Sequence, residues 1–204
     1  MLTSKNLTKK LIRKLTRQQG NIDVPHIGEA LEYIEAHWQV LTHEQKEDKG
    51  TIIVLPHPFV VPAADPKAKF TFQEQYYWDS YFTALGLTGG RHQHLAEGML
   101  DNLRYIFDRF HYIPNASRMY FMSRSQPPFL TSYIRLVYET GNKDLAWLAE
   151  NMATAQEEYK RVWTNEVHPF WHQVYHGLSR YYDINVLHDL AEAESGWDMT
   201  TRFE

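Results

Sequence analysis

Apolar residues recur at intervals of three and four along most of the chain, and that spacing predicts a mainly helical protein. Ile27, Leu31, Ile34 and Trp38 mark one helix over 27–40. Leu95, Met99, Leu103, Ile106, Phe107 and Phe110 form the clearest stripe, over 95–110. Leu145, Leu148, Ala149, Met152, Tyr159, Val162 and Trp163 carry another over 144–163. Shorter helices are expected at 79–87, stopped by Gly89-Gly90, and at 131–139, stopped by Gly141-Asn142. Thr51-Ile52-Ile53-Val54-Leu55 is the one good strand candidate, leading into Pro56-His57-Pro58-Phe59 and a Pro/Ala-rich loop through Lys69.

The connections alternate in length. Short gaps join 79–87 to 95–110 and 131–139 to 144–163, which predicts helical hairpins. The longer segments 111–128 and 164–188 hold the polar-aromatic motifs, so the hairpins should gather their functional loops at one end. No glycine-rich phosphate loop follows the expected strand, which argues against a nucleotide-binding fold.

Residues 1–50 read as a helical lead to a domain over 51–204. Within it Leu7, Leu11, Ile12 and Leu15 share a helix face, among the basic residues Lys9, Lys10, Arg13 and Lys14. That pattern fits a surface helix or an unstructured lead better than a membrane-surface helix. It has no continuous apolar centre, so it is not read as a secretory leader, and a cytoplasmic address is expected. No apolar stretch is long enough to span a bilayer.

Composition narrows the classes. With 204 residues, 43% hydrophobic and 23% charged, the chain is an ordinary globular protein large enough for a sizeable core. A net charge of -4 with no basic block argues against a nucleic-acid partner. The absence of cysteine excludes disulfides, thiolate metal sites and a thiol nucleophile. The aromatic share, 14%, is high. A large aromatic core would account for it. So would a sugar site, where flat rings lie on the C–H faces of pyranoses, and aromatics beside Asp, Glu, Arg and Gln favour that locally.

Two pairs, Trp78-Asp79 and Trp197-Asp198, set a carboxylate next to a large apolar face. Such a face desolvates the carboxyl and raises its pKa, as a general acid at neutral pH requires. A single pair is more often a buried ring beside a surface or capping aspartate; two, each in a dense polar-aromatic run, balance the readings. The run from Asn115 to Gln126, with Arg118 and Arg124, offers planar donors and acceptors suited to vicinal hydroxyls, or else a well-bonded structural loop. Pro127-Pro128 stiffens its exit. His168, His172 and His176 are spaced by four, but Pro169 lies among them and no carboxylate supports them, so no metal site is expected.

At these residues the sequence resembles the trehalase family of glycoside hydrolases. Phe72-Gln73-Glu74-Gln75-Tyr76-Tyr77-Trp78-Asp79-Ser80-Tyr81 is similar to the family's first signature. Ile113-Pro114-Asn115 with Ser123-Arg124-Ser125-Gln126-Pro127-Pro128 is similar to its second block, and Ser195-Gly196-Trp197-Asp198 followed by Arg202 to the block that carries the acid. The order matches, and the resemblance covers about 70–204. It implies an all-α fold, part of an (α/α)6 toroid, and inverting hydrolysis of an α-glucosidic bond, most simply trehalose to glucose. Asp198 would be the general acid. Phe72, Tyr76, Trp78, Asp79, Asn115, Arg124, Gln126 and Gly196 would bind the substrate, with Arg180 of Arg180-Tyr181-Tyr182-Asp183 a weaker match. The partner would be a small disaccharide, with no cofactor and no metal.

The chain also departs from the family. Where trehalases carry Gly-Gly-Arg before the signature Phe, it reads Lys69-Phe70-Thr71, and the loop from Thr164 to Leu190 is compact. These leave another small α-glucoside, such as a glucosylglycerate, as the alternative substrate. An inverting enzyme also needs a base carboxylate roughly 6.5–9.5 Å from the acid. In trehalases it is a late Glu, and no matching segment occurs before Glu204. The expectation is the N-terminal half of a toroid, inactive or only sugar-binding by itself, whose uncovered helix faces favour self-association.

Overall fold

The computed structural model describes residues 24–64, 67, 71–165, 172–180, 182 and 183. Helix α1 spans Val24–Leu41, α2 Tyr77–Leu87, α3 Gln93–Phe110, α4 Leu130–Thr140 and α5 Leu145–Glu158. The last runs directly into a π-helical turn at Tyr159–Trp163. A single 3-10 turn at Met119–Phe121 and two short antiparallel ribbons complete the described elements. One pairs β1 (Thr42–His43) with β2 (Phe59–Val60), and the other pairs β3 (Gln173–Tyr175) with β4 (Leu178–Ser179).

Helix α3 lies at the centre because its apolar face is the widest. Leu95, Ala96, Met99, Leu100, Leu103, Ile106 and Phe107 are all buried, and α2, α4, α5 and β2 pack against it. Two hairpins result, α2–α3 and α4–α5, as the short connections predict. Their ends follow local chemistry. The backbone N–H of Gly141 bonds the Val137 carbonyl at 2.7 Å as α4 stops, and the Asp144 carboxylate accepts from the Trp147 N–H at 2.8 Å as α5 starts. Helix α3 stops on His111, which takes the left-handed conformation at φ 64°.

Gly98 sits mid-helix in α3, where glycine costs about 1 kcal/mol relative to alanine. A Cβ there would stand 3.0 Å from the His57 Cβ, so its bareness lets the 56–58 loop lie on the helix. Helix α1 reaches the core through Trp38 and Leu41, and Thr42 then pairs with Val60.

The expected strand at 51–55 is corrected. Ile53 and Leu55 are buried and point inward alternately, but Ile52 makes only isolated bridges, to Lys49 and Arg118. The segment is extended and apolar, yet among the described residues no neighbouring strand runs alongside it.

Candidate functional site

Three loop segments meet beside the first turn of α2. Tyr76 bridges Ala116, and the Ser117 N–H donates to the Gln75 carbonyl at 3.0 Å. The Ser117 hydroxyl accepts from the Gln75 N–H at 3.0 Å, and the Ser117 carbonyl accepts from Ile53 at 3.0 Å. The Met119 N–H reaches Thr51 at 2.8 Å. Polar groups buried below anchor this junction to α3. The Gln75 side chain donates to the Met99 carbonyl at 2.8 Å and accepts from the Asn102 amide at 2.9 Å. Asn102 also closes a two-way bond with the His57 backbone, at 2.9 Å in each direction. Arg118 pairs with buried Glu74 and donates to the Thr51 hydroxyl at 2.9 Å.

On this base the predicted residues gather in two linked groups. Phe72 meets Tyr76 edge-on at 5.6 Å, Tyr76 meets Phe121 at 5.9 Å, and the Arg124 guanidinium lies 4.9 Å over the Phe121 ring. Burial, then the nearby Glu74 carboxylate, holds the Tyr76 phenol well above its ordinary range, so it remains a neutral donor and acceptor. In the second group Gln126 accepts from the Trp78 backbone N–H at 2.9 Å and donates to the Asp79 carboxylate at 3.2 Å. The Trp78 N–H belongs to the first turn of α2, so Gln126 satisfies a helix-end donor from another segment. The Asp79 carboxylate sits favourably at the positive end of the helix dipole. Trp78 packs on Phe82 and Phe129, with ring centres 6.0 and 6.4 Å away.

Asn115 ties the groups together through its backbone. Its N–H donates to the Arg124 carbonyl at 2.9 Å, and its carbonyl accepts from the Tyr77 N–H at 3.1 Å. Its carboxamide is fully buried, and both side-chain polar atoms lack a hydrogen-bond partner among the described residues. Nε and Nη2 of Arg124 are in the same condition. Buried groups of this kind are ordinarily bonded, and leaving one unsatisfied costs about 1–3 kcal/mol. Arg124 and Asn115 therefore hold hydrogen-bonding capacity that suits a polyhydroxyl ligand.

Sequence reasoning missed the residue that fixes Arg124. Its Nη1 meets Asp183 Oδ2 at 3.1 Å, with each side chain 1% exposed. The motif Arg180-Tyr181-Tyr182-Asp183 pointed to Arg180, yet the acid three residues on supplies the contact. The Arg180 guanidinium instead stacks 3.9 Å over the Tyr182 ring, and its backbone brackets His172. His172 donates from Nδ1 to the Arg180 carbonyl at 2.8 Å and packs on Trp163 at 4.7 Å. Among the described residues no cluster of His, Asp or Glu has metal-ligand geometry. Asp198, Gly196 and the rest of the third motif lie outside the described residues, as does His168.

Helical hairpins that gather an aromatic, arginine- and amide-rich loop cluster at one end fit a fragment of the helical-toroid fold class. The trehalase family model matches residues 7–196, and the chain belongs to the trehalase family. A periplasmic trehalase of Xanthomonas oryzae pv. oryzae is 34% identical over 84% of this chain and 35% of its own length. A putative periplasmic trehalase of Salmonella typhi is 40% identical over 69% of this chain and 24% of its own. Among solved structures, neutral trehalase Nth1 from Saccharomyces cerevisiae superposes with a TM-score of 0.52 at 28% identity, covering 75% of this chain and 28% of that one. The all-α, toroid-fragment fold class is thereby established. The chain spans about a third or less of the length of the curated relatives it matches.

The cytoplasmic address is overturned by these comparisons, since the relatives are named periplasmic trehalases. Reading an address from residues 1–17 depends on where a chain begins, and compartment leaves no mark on the helices that build the fold. A cysteine-free core suits an oxidising compartment as well as a reducing one. No helix among the described residues is long and apolar enough to cross a membrane.

Proposed function

We propose that this chain carries the glucose-binding and acid-donating part of an inverting α-glucosidase acting on trehalose. The single observation that supports the reading most is the buried, incompletely bonded pair Asn115 and Arg124, held between the two signature segments. Their amide and guanidinium would bond vicinal hydroxyls of one glucose unit, while Phe72, Tyr76 and Trp78 supply apolar faces around it. Asp198, which the resemblance assigns as acid, would protonate the glycosidic oxygen. Water would then attack the anomeric carbon from the opposite face, activated by a second carboxylate. That base is assigned to no residue of this chain, so turnover is expected of the full open reading frame that encodes it.

Thr71 favours a second substrate. It stands where trehalases carry the signature arginine, and its hydroxyl is buried without a partner among the described residues. A threonine cannot give the forked contact of a guanidinium, so a glucosylglycerate is the alternative. The test is hydrolysis of each glucoside, followed by proton NMR. Inversion of trehalose releases one β-glucose beside one α-glucose from the outset, and Asp198→Asn abolishes it. Release from glucosylglycerate alone assigns the alternative; α-glucose alone from trehalose rejects the inverting mechanism.

A further inference from the structure

One buried acid stands outside everything assigned above. Glu158 ends α5, just where the chain widens into the π-helical turn Tyr159–Trp163, and is 3% exposed. Its Oε1 accepts from the Tyr77 hydroxyl at 2.7 Å. The same hydroxyl accepts from the Leu130 backbone N–H at 3.1 Å, and the Tyr77 N–H donates to Asn115 at 3.1 Å. Tyr77 thus joins three segments: the first turn of α2, the first turn of α4, and the Asn115 loop.

We propose that Glu158 is a positioning residue: by fixing the Tyr77 hydroxyl it holds the starts of α2 and α4 in the register that lets Gln126 reach Trp78 and Asp79. The geometry carries the argument. Tyr77 is the first residue of α2, and Trp78 and Asp79 follow it, so an α-helical rotation of about 100° per residue turns them away from the buried face that Tyr77 occupies. Leu130 is the first residue of α4, and its N–H is one of the donors a helix start leaves free. Only Pro127, Pro128 and Phe129 separate it from Gln126, and the prolines make that tether stiff. A shift of Leu130 relative to Tyr77 is therefore passed to the Gln126 carboxamide. The 2.9 and 3.2 Å bonds to Trp78 and Asp79 leave little slack for it.

Burial pushes the Glu158 carboxyl up to about 7, against the Tyr77 hydroxyl and the nearby Trp163 indole, which hold it down. A buried acid of this kind is weak as a source of stability, since an apolar side chain of similar volume often does as well. Its acceptor for Tyr77 is the property an apolar side chain cannot replace. π-helical turns interrupt a regular helix and recur at functional sites, and here one begins at the residue after this acceptor.

The role of Gln126 in sugar binding rests on the function proposed above, whereas the register of Gln126 does not. The test uses the 204-residue chain and two readouts: the NMR resonances of the Gln126 side-chain amide and the Trp78 backbone amide, and the trehalose dissociation constant. Glu158→Gln keeps an acceptor, and should leave both resonances in place and the affinity within about twofold. Glu158→Leu removes the acceptor, and should shift both resonances and weaken binding about tenfold with helix content retained. Should Glu158→Leu fail to fold, Tyr77→Phe, which removes the same hydroxyl and keeps the ring, is expected to shift them likewise. A folded Glu158→Leu or Tyr77→Phe with unmoved resonances overturns the proposal, as does Glu158→Gln shifting them as far as Glu158→Leu. Failure of the wild-type chain to bind trehalose rejects the sugar site alone; the resonances still decide the register.

Discussion

The Arg124 guanidinium and the Asp183 carboxylate meet at 3.1 Å with both side chains shut away from water, 59 residues apart in sequence. The pair fixes one end of Arg124 and leaves Nε and Nη2 without a partner among the described residues. It orients a cation without using up all its donors.

Asp183→Ala strands that cation in a buried site. Breaking one side of a buried ion pair costs roughly 3–5 kcal/mol, whereas replacing both partners by apolar groups of similar volume is often neutral. The double variant Arg124→Met/Asp183→Leu is therefore expected to recover most of the stability lost in Asp183→Ala, yet to bind no trehalose. Urea unfolding and a trehalose titration on the same samples separate the two effects.

Asn102 links the first signature to α3 through Gln75 and to the 56–58 loop through His57. Asn102→Leu is close in volume but leaves the Gln75 carboxamide oxygen and the His57 backbone groups without that partner. At about 1–3 kcal/mol for each buried unsatisfied group, a loss of roughly 3 kcal/mol or more is expected. It would appear as a lowered urea midpoint. A midpoint matching wild type would show that these bonds contribute nothing net.

Glu158 makes stability depend on pH in a defined window. Folded, it keeps its proton up to about 7; unfolded, it releases it near 4.5. Between these values the native state binds more protons than the unfolded state, so rising pH favours unfolding. The contribution is fully present below about 4.5 and lost as pH rises through about 7, for a total on the order of 3 kcal/mol. Glu158→Gln does not titrate. Its unfolding free energy minus that of wild type should rise across that window and then level off. A constant difference from pH 4 to 8 would contradict the burial that raises this carboxyl.

What was legible in the sequence follows from the range of the forces involved. The α3 stripe, Leu95 through Phe110, was readable because helix periodicity is local, and the observed helix starts two residues earlier, at Gln93. The extended run 51–55 was misread because an apolar pattern reports burial of Ile53 and Leu55 but not whether a strand lies alongside. Asn102 sits inside the α3 stripe with nothing to mark it as buried. Its partners Gln75 and His57 are 27 and 45 residues away. Asp183 was hidden for the same reason, and the arginine three residues before it drew attention instead. The signature residues Phe72, Tyr76, Trp78, Asp79, Asn115, Arg124 and Gln126 lie near one another across distant segments, a proximity that helix periodicity does not record and that only the family resemblance suggested.

If the proposed function holds, the Asn115 carboxamide is kept for a ligand rather than for the fold. A buried amide with no partner among the described residues stabilises little, so Asn115→Ala should leave the unfolding free energy within about 1 kcal/mol of wild type or raise it. The same variant should weaken trehalose binding about tenfold or more, read by isothermal titration calorimetry. Lost stability with unchanged trehalose affinity would contradict the account, and would place Asn115 among the structural residues of the loop.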